Sequence, residues 1–166
     1  MRTIRVAGSE DLAAIRDLAL AIWPVAYGDI LENNQLAYML ERFYSIDSLR
    51  QQLLVSHHRF ILLYEDDKPV GFASYSSMED HPHIFKLHKI YVLPQQQGSG
   101  TGKMLLAYVI RDSIEMGATS LELNVNRHNK ARYFYEKQGF TIQRSEDIDI
   151  GAGYFMNDYV MELLLP

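Results

Sequence analysis

The sequence predicts an α/β fold: a mixed, mostly antiparallel twisted sheet flanked by helices on both faces. Three observations predict it. The apolar residues change period along the chain, from helical spacing to alternation and back, in the order βααβββαβαββ. Two apolar runs, Arg59–Tyr64 and Pro69–Tyr75, flank the polar tetrapeptide Glu65-Asp66-Asp67-Lys68, which makes them a hairpin. Later strands are separated by helical segments, so the sheet combines hairpins with crossovers.

The elements follow in order. Thr3–Val6 reads as a short strand. Ser9 is a fitting N-cap, with Glu10 and Asp11 in the favourable first turn. Leu12, Ile15, Leu18, Ala19 and Ile22 then line one helical face, and the helix is expected to stop near Trp23-Pro24. Asn34–Tyr44 and Asp47–His57 read as one or two further helices, capped by Asp47 or Ser45. After the hairpin comes a polar loop, Glu79–His83, and a strand, Phe85–Leu93, that ends at Pro94. A glycine-rich loop, Gln97–Gly102, precedes a helix whose apolar face is Leu106, Val109, Ile110, Ile114 and Gly117. Leu121, Leu123 and Val125 alternate with Glu122, Asn124 and Asn126 as a half-buried strand. A short helix, Lys130–Lys137, ends at Gly139 as its C-cap. Phe140–Arg144 and Tyr154–Leu164 are the last strands, paired antiparallel across the turn-rich Asp147–Gly153.

Composition narrows the function classes. The 166 residues suit one domain spanning the whole chain, 1–166. Sixteen basic residues against 21 acidic ones argue against a nucleic-acid binder. There is no cysteine, which removes disulfides, thiolate metal sites and cysteine nucleophiles. No apolar run reaches bilayer length, and the first residues lack a signal-peptide core, so a cytoplasmic protein is expected. His81, His83 and His88 lack the i, i+4 spacing of a helical metal pair, and no metal is expected.

The glycine loop carries the chemistry. Gly98, Gly100 and Gly102 let the backbone turn tightly and approach a ligand. Their N–H groups, with those of Ser99, Thr101 and Lys103, can converge on one anion, and the next helix adds its positive end. Two rival phosphate motifs fail. The P-loop needs G-x-x-x-x-G-K-S/T, whereas Lys103 is followed by Met104 and the spacing is short. The dinucleotide fingerprint G-x-G-x-x-G fails because the glycines fall at every second position. A plain glycine turn is the alternative.

The stretch Ile90-Tyr91-Val92-Leu93-Pro94-Gln95-Gln96-Gln97-Gly98-Ser99-Gly100-Thr101-Gly102-Lys103 resembles the core signature of the GNAT acyl-CoA N-acyltransferases, Gln/Arg-x-x-Gly-x-Gly/Ala after a strand ending in proline. A second segment resembles the family as well: the strand and Asn within Leu121–Asn129, then the helix that carries Tyr135 before Gly139-Phe140. The resemblance implies a GNAT-like sheet and acetyl-CoA as acyl donor. It implies that Gln97–Gly102, with Lys103 at the rim, holds the CoA pyrophosphate. Ile90, Tyr91 and Val92 would run alongside pantetheine, with an N–H near Val92 polarising the acetyl carbonyl. Asn129 would contact the pantetheine arm, and Tyr135 would protonate the departing thiolate. A homodimer is also implied.

Direct attack of an amine on a thioester needs a base, since an amine of pKa near 10 must first lose a proton. The strand position that carries a glutamate base in certain family members is Asn124 here, and Lys86 stands near another acidic position. Glu122, on the same strand face as Asn124, and His88, on the strand beside the cofactor, are the remaining candidates. Trp23, Tyr27, Tyr38, Phe43 and Tyr44 fall where the family shapes its acceptor pocket, against ordinary core packing as the alternative. Glu79, Asp80, Asp147, Asp149 and Asp158 read as a solvated acidic surface or as a rim for a cationic amine. The expected activity is acetyl transfer to the primary amine of a small molecule. A protein or peptide N-terminus or lysine is the alternative acceptor, and a silent acyl-CoA sensing module or an unrelated nucleotide-binding regulator the alternative class.

Overall fold

The computed structural model describes residues 1–166. Its elements are β1 (Arg2–Val6), α1 (Leu12–Tyr27), α2 (Asn33–Tyr44), α3 (Ile46–Leu54), β2 (Arg59–Glu65), β3 (Lys68–Ser77), β4 (Ile84–Val92), α4 (Thr101–Glu115), β5 (Ser120–Asn126), α5 (Ala131–Lys137), β6 (Thr141–Gly151) and β7 (Tyr154–Leu164). The seven strands lie in the order β1-β2-β3-β4-β5-β7-β6, mostly antiparallel, with β4 and β5 parallel. The α/β class is as predicted, and the element order gains one helix, because α2 and α3 are separate. Ser45 parts them: its backbone is extended at ψ 151° and its Oγ accepts the Ser48 N–H at 3.2 Å. Of the two expected caps, Ser45 is the one used. No helix is long and apolar enough to cross a membrane.

The chain divides into two compact units. The first comprises residues 1–76 and 89–109. Its core is built on β2, where Phe60, Ile61, Leu62 and Leu63 are all fully buried, and on Phe72, Ala73 and Tyr75 of β3. The β2–β3 turn is tighter than the sequence suggested. Asp66 and Asp67 alone make it, both in the left-handed region that a two-residue hairpin demands. The expected α1 face is buried as read. Two expectations about α1 are corrected. Its N-cap position falls at Asp11 rather than Ser9, because Ser9–Asp11 form a 3-10 turn before Leu12, and Asp11 ties down the entry by accepting from Gly8 N–H (2.9 Å) and Arg5 (2.7 Å). It also runs through Pro24 to Tyr27. An interior proline costs about 3 kcal/mol. Trp23 offsets this cost: it is buried, and its ring centroid lies 4.7 Å from Tyr27 and 5.4 Å from Tyr44.

The second unit comprises residues 77–88 and 110–166. The parallel ladder pairs Ile84–Leu87 with Ser120–Leu123, and β5 pairs antiparallel with β7 over its full length. The last hairpin corrects the sequence reading. Asp147–Gly151 belongs to β6, and the turn is only Ala152-Gly153, both at positive φ. The alternation of Asp147, Ile148, Asp149 and Ile150 outweighs their turn-like composition: Ile150 is buried and the two aspartates are exposed. α5 closes as expected at Gly139 (φ 102°). Phe140 N–H bonds Tyr135 O and Gly139 N–H bonds Glu136 O, which is a Schellman cap.

Candidate active site

The glycine loop lies in the first unit and is shorter than predicted. After β4, residues Pro94–Gln96 form a single 3-10 turn, and α4 already starts at Thr101, so Gly102 and Lys103 are helical. Gly100 O accepts the Met104 N–H at 3.0 Å. The N–H groups of Thr101, Gly102 and Lys103 therefore form the open first turn of the helix, where the dipole is positive. Gly98 (φ 77°) and Gly100 (φ 84°) are left-handed, and a Cβ built on either meets nothing within 4 Å. The protein thus leaves open the space that these two glycines face. Lys103 is exposed, whereas Thr101 is fully buried and its Oγ1 bonds Gln96 O at 3.3 Å.

A second layer fixes this loop. Arg2 Nη1 donates to Ser99 O at 2.9 Å, and Arg2 Nε lies 3.4 Å from Glu65 Oε1. Gln96 Nε2 donates to Glu65 Oε2 at 2.6 Å, and Ser99 Oγ to Gln96 O at 2.5 Å. Sequence reasoning missed Arg2 and Glu65, because nothing local ties the first strand to a loop 97 residues away.

Ile90, Tyr91 and Val92 close β4 and are half-buried. Tyr91 is held by Tyr27, hydroxyl to hydroxyl at 2.8 Å, and its ring lies 5.8 Å from both Trp23 and Phe72. Trp23, Tyr27 and Tyr44 thus belong to one aromatic cluster. Tyr38 and Phe43 instead meet Arg42, through a 3.2 Å hydrogen bond and a ring contact. Behind Tyr91 stands Gly71. A Cβ there would lie 3.0 Å from Tyr91 O and Val92 Cγ1 and 3.2 Å from Leu105 Cδ1. Lys89 was also missed. Its Nζ donates to Gln52 Oε1 at 2.7 Å and lies over the rings of Tyr44 and Phe60. Burial pulls its ammonium down to about 8. Burial, and then the charge of Lys89, pull His58 down to about 4.

In the second unit, Tyr135 on α5 is buried between Phe134 and Phe140, with ring centroids 5.4 and 5.8 Å away. Asn129 serves its own helix, since its Oδ1 accepts the Ala131 N–H at 2.9 Å at the start of α5. Glu122 is buried on β5, opposite Lys86, with Oε1 3.9 Å from Arg144 and free of hydrogen bonds. His88 is half-buried on β4. Asp158 is no part of a solvated rim, being 3% exposed. Its Oδ2 accepts from Asn124 Nδ2 at 3.2 Å, and Lys86 donates to Asn124 Oδ1. Desolvation raises the Asp158 carboxyl above the ordinary carboxylate range, against the Asn124 hydrogen bond and the charges of Lys86 and Arg127. Burial lowers the Lys86 ammonium. No three His, Asp or Glu side chains gather as a metal-ligand set.

An open helix start preceded by two left-handed glycines favours a bound anion. The family model of the GNAT acetyltransferases matches residues 12–140. The chain belongs to that family. GNAT enzymes use acetyl-CoA as co-substrate and need no metal. Among the relatives of this GNAT chain, a ribosomal protein bS18 alanine N-acetyltransferase of Haemophilus influenzae is 37% identical over 93 residues. That match takes in 56% of this chain and 58% of the relative, so the chain spans little more than half of that enzyme. An uncharacterized N-acetyltransferase of Mycobacterium bovis is 28% identical over 154 residues, 92% of this chain and 95% of that one. In fold, the chain is similar to the PaiA N-acetyltransferase of Thermoplasma acidophilum, solved in complex with coenzyme A. The TM-score is 0.83 at 24% identity, over 99% of each chain.

Proposed function

We propose that the chain, as one GNAT domain over residues 1–166, moves the acetyl group of acetyl-CoA to the primary amine of a small molecule by direct attack. The observation that carries this reading is the pair of left-handed glycines facing open space at the start of α4. Gln97–Gly100 and the first-turn N–H groups of Thr101, Gly102 and Lys103 bind the pyrophosphate. Ile90–Val92 align pantetheine, and the Val92 N–H stabilises charge developing on the acetyl oxygen. Tyr135 protonates the departing thiolate, and Asn129 steadies the pantetheine arm. The proton given up by the amine falls to a base, for which Glu122 and His88 are the sequence candidates. With no cysteine in the chain, direct transfer is preferred to a cysteine-bound acetyl intermediate. A formal charge of −5 suits a cationic amine.

A second reading, a protein N-terminal amine as acceptor, is favoured by the Haemophilus relative. Release of CoA thiol over a panel of small amines and N-terminal peptides tests both. Turnover on small amines supports the first reading, and turnover on peptides alone supports the second. Binding of acetyl-CoA without turnover on any acceptor would leave a sensing module.

A further inference from the structure

We infer that Asp158 is the carboxylate that takes the acceptor's proton, with Asn124 as its positioning residue. This rests on the acetyl-transfer reading. The second unit lines up three polar side chains in a row: Lys86 on β4 and Asn124 on β5, both half-buried, and the buried Asp158 on β7. An ammonium can only donate, so the Asn124 carbonyl oxygen must face Lys86 and its NH2 must face Asp158. The amide is therefore oriented by its neighbours and acts as a spacer. It holds the Asp158 carboxylate through one neutral donor and keeps the cation one side chain away. A direct ion pair would hold the carboxylate more firmly but would weaken it as a base.

The other charges around Asp158 are engaged elsewhere. Arg127 donates to Asp147 at 2.6 Å and reaches only the backbone oxygen of Asp158, at 3.3 Å. Arg144, from β6, bonds Glu146 at 2.7 Å and lies 3.9 Å from Glu122. Glu122 itself faces Lys86 across the β4–β5 ladder and has Arg144 as its ion partner. Among the buried carboxylates of β5 and β7, Asp158 thus combines a neutral hydrogen-bond partner with desolvation that favours proton uptake. The protons balance. Asp158 takes one from the acceptor ammonium before attack. The second, released as the amide forms and the C–S bond breaks, replaces the proton that Tyr135 gives to the thiolate. Asp158 then discharges to solvent.

The test is kcat/KM for an accepted amine between pH 6 and pH 10, in the full chain, for wild type and Asp158→Asn. The variant should lose about 100-fold at pH 7. The deficit should shrink below about 10-fold at pH 10, where the amine deprotonates in solution. Affinity for CoA, measured by calorimetry, should stay unchanged. Wild-type rates, or a deficit of equal size at every pH, would overturn the inference, the latter because it marks a structural role. Asn124→Leu keeps the question open to test even if Asp158→Asn does not fold. Loss of its hydrogen bond should move the acid limb of the profile to higher pH, and an unmoved limb overturns the inference. Absence of wild-type turnover on any amine would instead remove the acetyl-transfer reading, and this inference with it.

Discussion

Three glycines share one backbone state and one kind of surroundings, which makes a controlled experiment on the loop. Gly98 (φ 77°), Gly100 (φ 84°) and Gly117 (φ 93°) are all left-handed, and a Cβ on any of them meets nothing within 4 Å. Alanine at each should therefore cost only the strain of an L-residue in that region, about 1–2 kcal/mol. For a chain of this size that lowers Tm by roughly 2–8 °C, similarly for the three variants. Cofactor binding should separate them. Gly98 and Gly100 lie in the loop before α4, whereas Gly117 follows its C-terminus. A methyl group pressed into an occupied, close-packed contact costs about 1–3 kcal/mol. Gly98→Ala and Gly100→Ala should thus weaken CoA by about 5- to 150-fold, while Gly117→Ala binds as wild type. Differential scanning calorimetry gives the first comparison and titration calorimetry with CoA the second. Equal CoA affinity in all three variants would refute the placement of the pyrophosphate at this loop.

Other outcomes follow from the same geometry. Tyr135→Phe should lower kcat by about 100-fold while CoA affinity changes less than about twofold; equal kcat assigns the thiolate's proton to another donor. Arg2→Gln removes the bond to Ser99 and the contact with Glu65. Both charged side chains are about one-third exposed, so folding should lose less than about 1 kcal/mol. CoA affinity should fall about 3- to 10-fold, and unchanged binding would show that the loop holds its shape alone. For Lys89 the sign is set by a folded-state value of about 8 against 10.5. Below pH 8 both states are protonated and the folded one carries the burial cost, which fades as pH rises toward 10.5. The gap bounds that cost at about 3 kcal/mol, less about 1 for the Gln52 bond. Lys89→Met should be more stable than wild type at pH 7 by about 2 kcal/mol, and the advantage should vanish by pH 10.5. Urea melts at the two pH values measure it, and a less stable Met variant at pH 7 refutes it.

What could be read from the sequence was what depends on near neighbours. The Arg59–Tyr75 hairpin, the Gln97–Gly102 loop and the Gly139 cap each depend on residues a few positions apart, and each was placed to within a few residues. The errors have the same origin. Pro24 reads as a helix stop unless one knows that Trp23 is packed between Tyr27 and Tyr44. Asp147–Gly151 reads as a turn by composition, although its alternation was present. The polar framework was invisible because it joins distant positions: Asn124 to Asp158 across 34 residues, Lys86 to Asn124 across 38 and Arg2 to Ser99 across 97. Asp158 looked like one more surface acid until its burial was known.

Gly71 has a consequence of a different kind. Its backbone makes no special demand, and any residue can adopt its conformation. Its importance is the missing atom: the first carbon of a side chain would press on Tyr91 O and Val92 Cγ1 at 3.0 Å and on Leu105 Cδ1 at 3.2 Å. Gly71 thus works as a spacer gauge, setting how near β3 lets the end of β4 and the first turns of α4 approach. A replacement there lies outside the Gln97–Gly102 loop. It displaces by tenths of an ångström the carbonyl of Tyr91, in the stretch proposed to align pantetheine, so the calibration of that stretch is written in a residue with no side chain.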